Sequence, residues 1–378
     1  MKIFGRTALL AAGALLCSIS TTTAAQGALG ANYNEHFEDV DYRDLEKTDT
    51  TWVRLFLPMP QLDRGPAADH GAVKTILDVA GKGYKTILTL KFPYNRVAFP
   101  KADSPEFAKQ LARLDAVLPL VMGKVDILVI GNEPFIESRQ QDWNPNFNAF
   151  YEKLAKRAIA YRKANCAGEC KTRLYMGALN HIERPVWRNS TTDRWMAFIK
   201  ETPELDGVNI HPHILAIEES KAFLTYILPR MRPEQKFLVT EFSLVWWWKQ
   251  NLKGTIPASF AAKYGAAPNS QNWQIIKAAL ETPFSKPQWD EFLSQSPWFE
   301  NRKHYLINQM KLFRDTGRLA VATYGFKQGS SMAKNFGPES TPWLINSVMA
   351  GRTVKPNADG SAAFNYSWAD DYKALQKK

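Results

Sequence analysis

"DILVIGNEPF", residues 126–135, begins as a core strand and ends on a carboxylate. Ile127 to Ile130 are four apolar residues in a row, the pattern of a strand covered on both faces. Gly131, Asn132, Glu133 and Pro134 then break the run and leave Glu133 at its tip. "FLVTEFSLVWWW", residues 237–248, repeats the arrangement, with Glu241 interrupting an apolar strand. Both stretches raise the same question: why a buried strand should end on an acid.

The rest of the chain supplies the setting. Six more strand-like runs read at 28–33, 51–56, 84–92, 172–179, 207–211 and 318–324, making eight with 125–131 and 236–242. Most are continuous apolar runs, as in parallel strands with both faces covered. Amphipathic helical patterns lie between them, clearest at 104–118, 148–164, 218–231 and 302–317. The alternation predicts an α/β fold, a (β/α)8 TIM barrel over residues 26–351. Residues 244–300 read as a long insertion after the seventh strand, rich in tryptophan and expected to wall the mouth where strands end. Residues 352–378 read as a C-terminal tail.

The 378 residues are 45% hydrophobic and 22% charged, enough for a large core. Lys2 and Arg6 precede an apolar run from Ala8 to Leu16 and then small residues, the form of a secretory signal over residues 1–25. A periplasmic or secreted protein is expected, with no membrane-spanning segment after signal removal. Beyond Cys17 in that segment, the cysteines are Cys166 and Cys170; in an oxidising compartment they suggest a small disulfide loop, with two free thiols as the alternative. The formal charge of +11 is spread over scattered lysines and arginines rather than blocks, so no nucleic-acid partner is expected. Nothing in the sequence speaks to oligomeric state.

In a barrel, the C-terminal strand ends converge on one mouth, which brings Glu133 and Glu241 toward each other. Two facing carboxylates suit glycosidic-bond cleavage, one acting as acid and the other as nucleophile or base. "GNEP" at 131–134 after a fourth strand and "TEF" at 240–242 after a seventh resemble the signatures of the clan A glycoside hydrolases, retaining (β/α)8 enzymes. That resemblance implies Glu133 as general acid/base, Glu241 as nucleophile, Asn132 as a partner of the sugar 2-hydroxyl and Arg54 as support for the nucleophile. "HPH" at 211–213 falls where many members carry a histidine followed two residues later by a tyrosine; here His213 takes the tyrosine place. The family's eighth strand commonly ends near a tryptophan flooring the sugar site, and Tyr324 and Phe326 stand there instead.

Other candidates follow from position alone. Asn180, His181, Lys91 and Tyr94 fall near strand ends, and Trp246, in the Trp246–Trp248 run, could stack against a sugar. The implied substrate is a β-linked oligo- or polysaccharide, with no cofactor. Two alternatives stay open. His211 and His213 could hold a metal for a barrel hydrolase, with His181 a conceivable third ligand, or the barrel could bind carbohydrate without cleaving it.

Overall fold

The computed structural model describes residues 27–166 and 168–377, so the expected signal segment, residues 1–25, lies outside the described residues. Eight strands form a closed, all-parallel barrel in sequence order: β1 (Ala28–Asn32), β2 (Trp52–Pro58), β3 (Lys85–Lys91), β4 (Ile127–Ile130), β5 (Arg173–Asn180), β6 (Gly207–His211), β7 (Lys236–Val239) and β8 (Leu319–Gly325). β1 pairs with both β2 and β8, which closes the ring. Each of the eight expected strands is present, as the (β/α)8 reading required. No helix among the described residues is long and apolar enough to cross a membrane.

Strand alternation sorts the side chains. Ile87, Ile127, Val129, Tyr175, Leu238 and Val321 form one buried cluster from alternate positions, filling the barrel interior beneath the mouth. The opposite strand faces join a much larger core with the surrounding helices, such as Pro105–Val121 and Pro145–Asn165. Both helices start with proline after a side-chain cap, Ser104 and Asn144, where the missing proline N–H is harmless.

The segment 244–300 contains the helices Val245–Asn251, Ala258–Tyr264, Asn272–Glu281, Lys286–Gln295 and Pro297–Glu300. They pack mainly on one another, through Trp289, Phe292, Trp298 and Phe299. From Arg352 onward the chain ends in the helix Trp368–Gln376, whose Trp368, Tyr372 and Leu375 are buried. It lies against β1 and the helix Tyr305–Arg314.

Candidate active site

Two glycines shape the end of β4. Gly131 has φ +88°, a conformation that side chains resist, and turns the chain toward Glu133. Gly177 in β5 lies so close that a Cβ there would sit 2.4 Å from the Gly131 carbonyl oxygen. β7 ends for a different reason. At Thr240, side chains replace the sheet ladder: the backbone N–H donates to Asn209 Oδ1 at 3.1 Å, and the carbonyl accepts from Thr323 Oγ1 at 2.6 Å. Glu241 therefore stands just past the strand, not within it, and is freed to face the mouth.

Glu133 and Glu241 meet there, with His211 and His213 beside them. One side-chain donor atom from each of the four lies within 4.8 Å of all the others. Glu133 Oε1 accepts from Asn180 Nδ2 at 2.6 Å and lies 3.0 Å from His211 Nδ1. Glu241 Oε1 accepts from Arg54 at 2.7 Å. Arg54, wholly buried on β2, also donates to Asn32 and Asn34 at 2.9 Å each, and to Asn132. Its guanidinium thus has fixed acceptors on several sides, which locks the nucleophile candidate in place.

Charge follows this packing. Burial pushes the Glu133 carboxyl up, but the His211 hydrogen bond, the neighbouring His211 and His213 imidazoles and the Asn180 hydrogen bond outweigh it and hold it below its usual range. Burial also pushes Glu241 up, and the charges on His211 and Arg54 pull it below its usual range. His213 is driven down to about 4, mainly by burial. Its folded value lies below the ordinary 6.5, so the unfolded chain binds more protons between those pH values. Stability is therefore expected to fall as pH drops from about 6.5 through about 4, and to fall less in His213→Gln, as thermal melts across that range would show.

The mouth forms a cleft of about 640 Å3, lined by Glu133, Glu241, Asn180, His181, His211 and His213 together with Trp143, Trp187, Trp246 and Trp343. Asn132 does not line it. Its Oδ1 accepts from Arg54 and its Nδ2 donates to Glu137 at 2.8 Å, so it ties the end of β4 to β2 beside the site. Tyr324 is a clear correction. It is fully buried on the outer face of β8, against Phe242 and Trp368, because alternation turns Thr323 and Gly325 inward and Tyr324 outward. Lys91 and Tyr94 also lie off the cleft, Lys91 being 3.5 Å from Glu137.

The expectation that the insertion walls the cleft is corrected as well. Of residues 244–300 only Trp246 lines it; Trp247 donates to the Trp298 carbonyl at 2.8 Å, and wholly buried Trp248 donates to Asn346 at 2.8 Å. The Trp246–Trp248 run is helical, not a strand. The walls come instead from the loops after β4, β5 and β8, which carry Trp143, Trp187 and Trp343. Trp343 packs edge-on against His213 with ring centroids 4.8 Å apart, an indole beside the site from well beyond β8. Asn32, Asn34, Glu35 and His36 add a polar side after β1. Trp246→Ala should weaken glycan binding by about 1–3 kcal/mol, on the scale of a lost stacking face. Trp248→Ala should instead cost about 3–5 kcal/mol of stability; titration calorimetry and urea melts separate the two.

Donor chemistry counts against a metal at the four-residue cluster. His211 turns Nδ1 to Glu133 and Nε2 to Thr240, and the Arg54 cation already occupies Glu241. His181 is not among the four; its Nδ1 lies 3.2 Å from Glu183. Cys166 and Cys170 are joined in a disulfide with Cα atoms 5.4 Å apart.

No family model matches the sequence, and no curated protein matches it. Solved structures do match the fold. A GH10 endoxylanase retrieved from a sugarcane soil metagenome aligns over 93% of this chain and 97% of its own, at 13% identity and TM-score 0.55. A Penicillium canescens endo-1,4-β-xylanase aligns over 92% and 94%, at 13% identity and TM-score 0.51. A β-glucosidase from Exiguobacterium marinum aligns over 93% and 98%, at 8% identity and TM-score 0.51. At these identities the likeness is one of fold: the chain is built on the eight-stranded parallel barrel that these glycoside hydrolases share.

Proposed function

We propose that this protein is a glycoside hydrolase that cleaves a β-linked oligo- or polysaccharide with retention of anomeric configuration. One observation carries the reading: carboxylates from the ends of β4 and β7 face each other across the mouth of a barrel, with one oxygen of each within 4.8 Å of the other. Retaining enzymes keep the pair about 5–5.5 Å apart, whereas inverting ones leave about 6.5–9.5 Å for a water. The aromatic cleft and the named activities of the fold relatives, two xylanases and a glucosidase, support a carbohydrate substrate.

In this mechanism the ionised Glu241 attacks the anomeric carbon as Glu133 gives its proton to the departing oxygen. The C–O bond to the leaving group breaks and a glycosyl ester on Glu241 forms. Glu133, now a carboxylate, takes a proton from water, which attacks the ester and releases Glu241. The signal-like segment and the disulfide support export to the periplasm or beyond.

A panel of plant, fungal and bacterial glycans offered to the mature protein tests the substrate class. Proton NMR of the first-formed product then tests the stereochemistry: the β-anomer is expected before mutarotation. An α-anomer would replace retention by inversion. Tight binding without turnover across the panel would favour a carbohydrate-binding protein on the same fold.

A further inference from the structure

Behind His211 lies a hydrogen-bond chain whose direction can be read from its backbone anchor. Asn209 Oδ1 accepts from the Thr240 backbone N–H at 3.1 Å, so the other end of that amide must be the NH2 group. This NH2 donates to Thr240 Oγ1 at 2.6 Å and lies 3.2 Å from His211 Nε2. An amide NH2 can only donate, whereas a hydroxyl both accepts and donates. Thr240 Oγ1 accepts a hydrogen bond from Asn209 and sits 2.7 Å from the same Nε2, toward which its own hydrogen is free to point. A proton on Nε2 would put a second donor on that oxygen and leave the buried hydroxyl hydrogen with no acceptor. Nε2 is therefore bare, and the ring carries its proton on Nδ1, 3.0 Å from Glu133 Oε1.

We propose that Asn209 and Thr240 are positioning residues that hold His211 as the neutral Nδ1–H tautomer, so that Glu133 receives a hydrogen bond from it without a positive charge. The inference rests on the reading of Glu133 as acid/base group. All three residues of the chain are fully buried, so water does not stand in for a missing partner. The groups facing the ring are Glu133, Glu241 with Oε1 at 3.8 Å, and His213 with its centroid 6.0 Å away; Arg54 lies beyond Glu241.

The tautomer matters because an acid must be able to hold its proton. A charged imidazole at 3.0 Å would favour the ionised carboxylate and hold Glu133 below its usual range. A neutral ring removes that charge and leaves burial, which favours the protonated acid, opposed chiefly by hydrogen bonds. Both donors, His211 and Asn180, fall on Oε1. Oε2 is then the atom that carries the proton to the leaving group.

The ring is read directly by NMR on protein with 15N-labelled histidine, using long-range proton–nitrogen correlations. His211 is identified among the six histidines by the signal lost in His211→Asn. At neutral pH the wild-type ring is expected to show the neutral Nδ1–H pattern, with Nε2 bare. Asn209→Asp replaces the NH2 by an acceptor of nearly the same shape, and should draw a proton onto Nε2. The same variant should lose roughly 10²–10⁴-fold in kcat/KM on substrates with poor leaving groups and far less on activated aryl glycosides. Thr240→Ser keeps the hydroxyl and should keep both the tautomer and the rate. A wild-type ring protonated on Nε2 would overturn the proposal, as would Asn209→Asp with an unchanged ring. The spectra need no turnover, so a protein that fails to hydrolyse glycosides but shows the Nδ1–H ring refutes the glycosidase reading alone.

Discussion

Glu241→Gln is expected to reduce turnover on the order of 10⁴- to 10⁶-fold, the scale seen when a nucleophile is removed from a working catalytic unit. The amide has the shape of the carboxylate but cannot form the glycosyl ester. It can still accept from Arg54 through its oxygen, so the five-partner guanidinium network around Thr89, Asn32, Asn34 and Asn132 keeps most of its contacts. Fold and much of the glycan affinity should survive, measured by circular dichroism and by calorimetry with the cleaved oligosaccharide. Arg54 itself is a poor site for the same test, because removing a buried cation strands a carboxylate and typically costs about 3–5 kcal/mol. Turnover within tenfold of wild type in Glu241→Gln would remove Glu241 from the mechanism.

The parts of this site that could be read in advance are those fixed by strand periodicity. Predominantly apolar runs located all eight strands, because parallel barrel strands are buried on both faces. An acid directly after such a run is conspicuous, which is why Glu133 and Glu241 stood out, and why Arg54 and His211 could be placed on the same mouth. The same periodicity held the answer for Tyr324. Val321 points into the barrel, so Thr323 does too and Tyr324 does not. The Trp246–Trp248 run misled because a short apolar run has no intrinsic helix or strand signature. Trp143, Trp187 and Trp343 were illegible for another reason. They sit on irregular loops after β4, β5 and β8, whose path depends on tertiary packing rather than on a local repeat. Asn209 and Thr240 were hidden among ordinary strand residues, since only coordinates reveal which amide end meets which ring nitrogen.

Glu133→Ala should divide substrates by their leaving groups. Where the departing oxygen belongs to another sugar, it must be protonated as the bond breaks, and loss of the acid should cost roughly 10²–10⁴-fold. A dinitrophenolate leaves without that help, so the first step should be much less impaired, and glycosyl-enzyme should accumulate because no base remains to activate water. Azide needs no base. It should restore turnover of the activated substrate and yield a β-glycosyl azide, since a second displacement at the anomeric carbon restores the starting configuration. The wild-type enzyme should show the complementary pH behaviour. Its resting Glu133 is biased toward the carboxylate by the two donors on Oε1, so cleavage of unactivated glycans should decline as pH rises while cleavage of dinitrophenyl glycosides declines less. An equal loss in Glu133→Ala on both substrate classes, with no azide adduct, would mean that the carboxylate positions the substrate and that the proton comes from elsewhere.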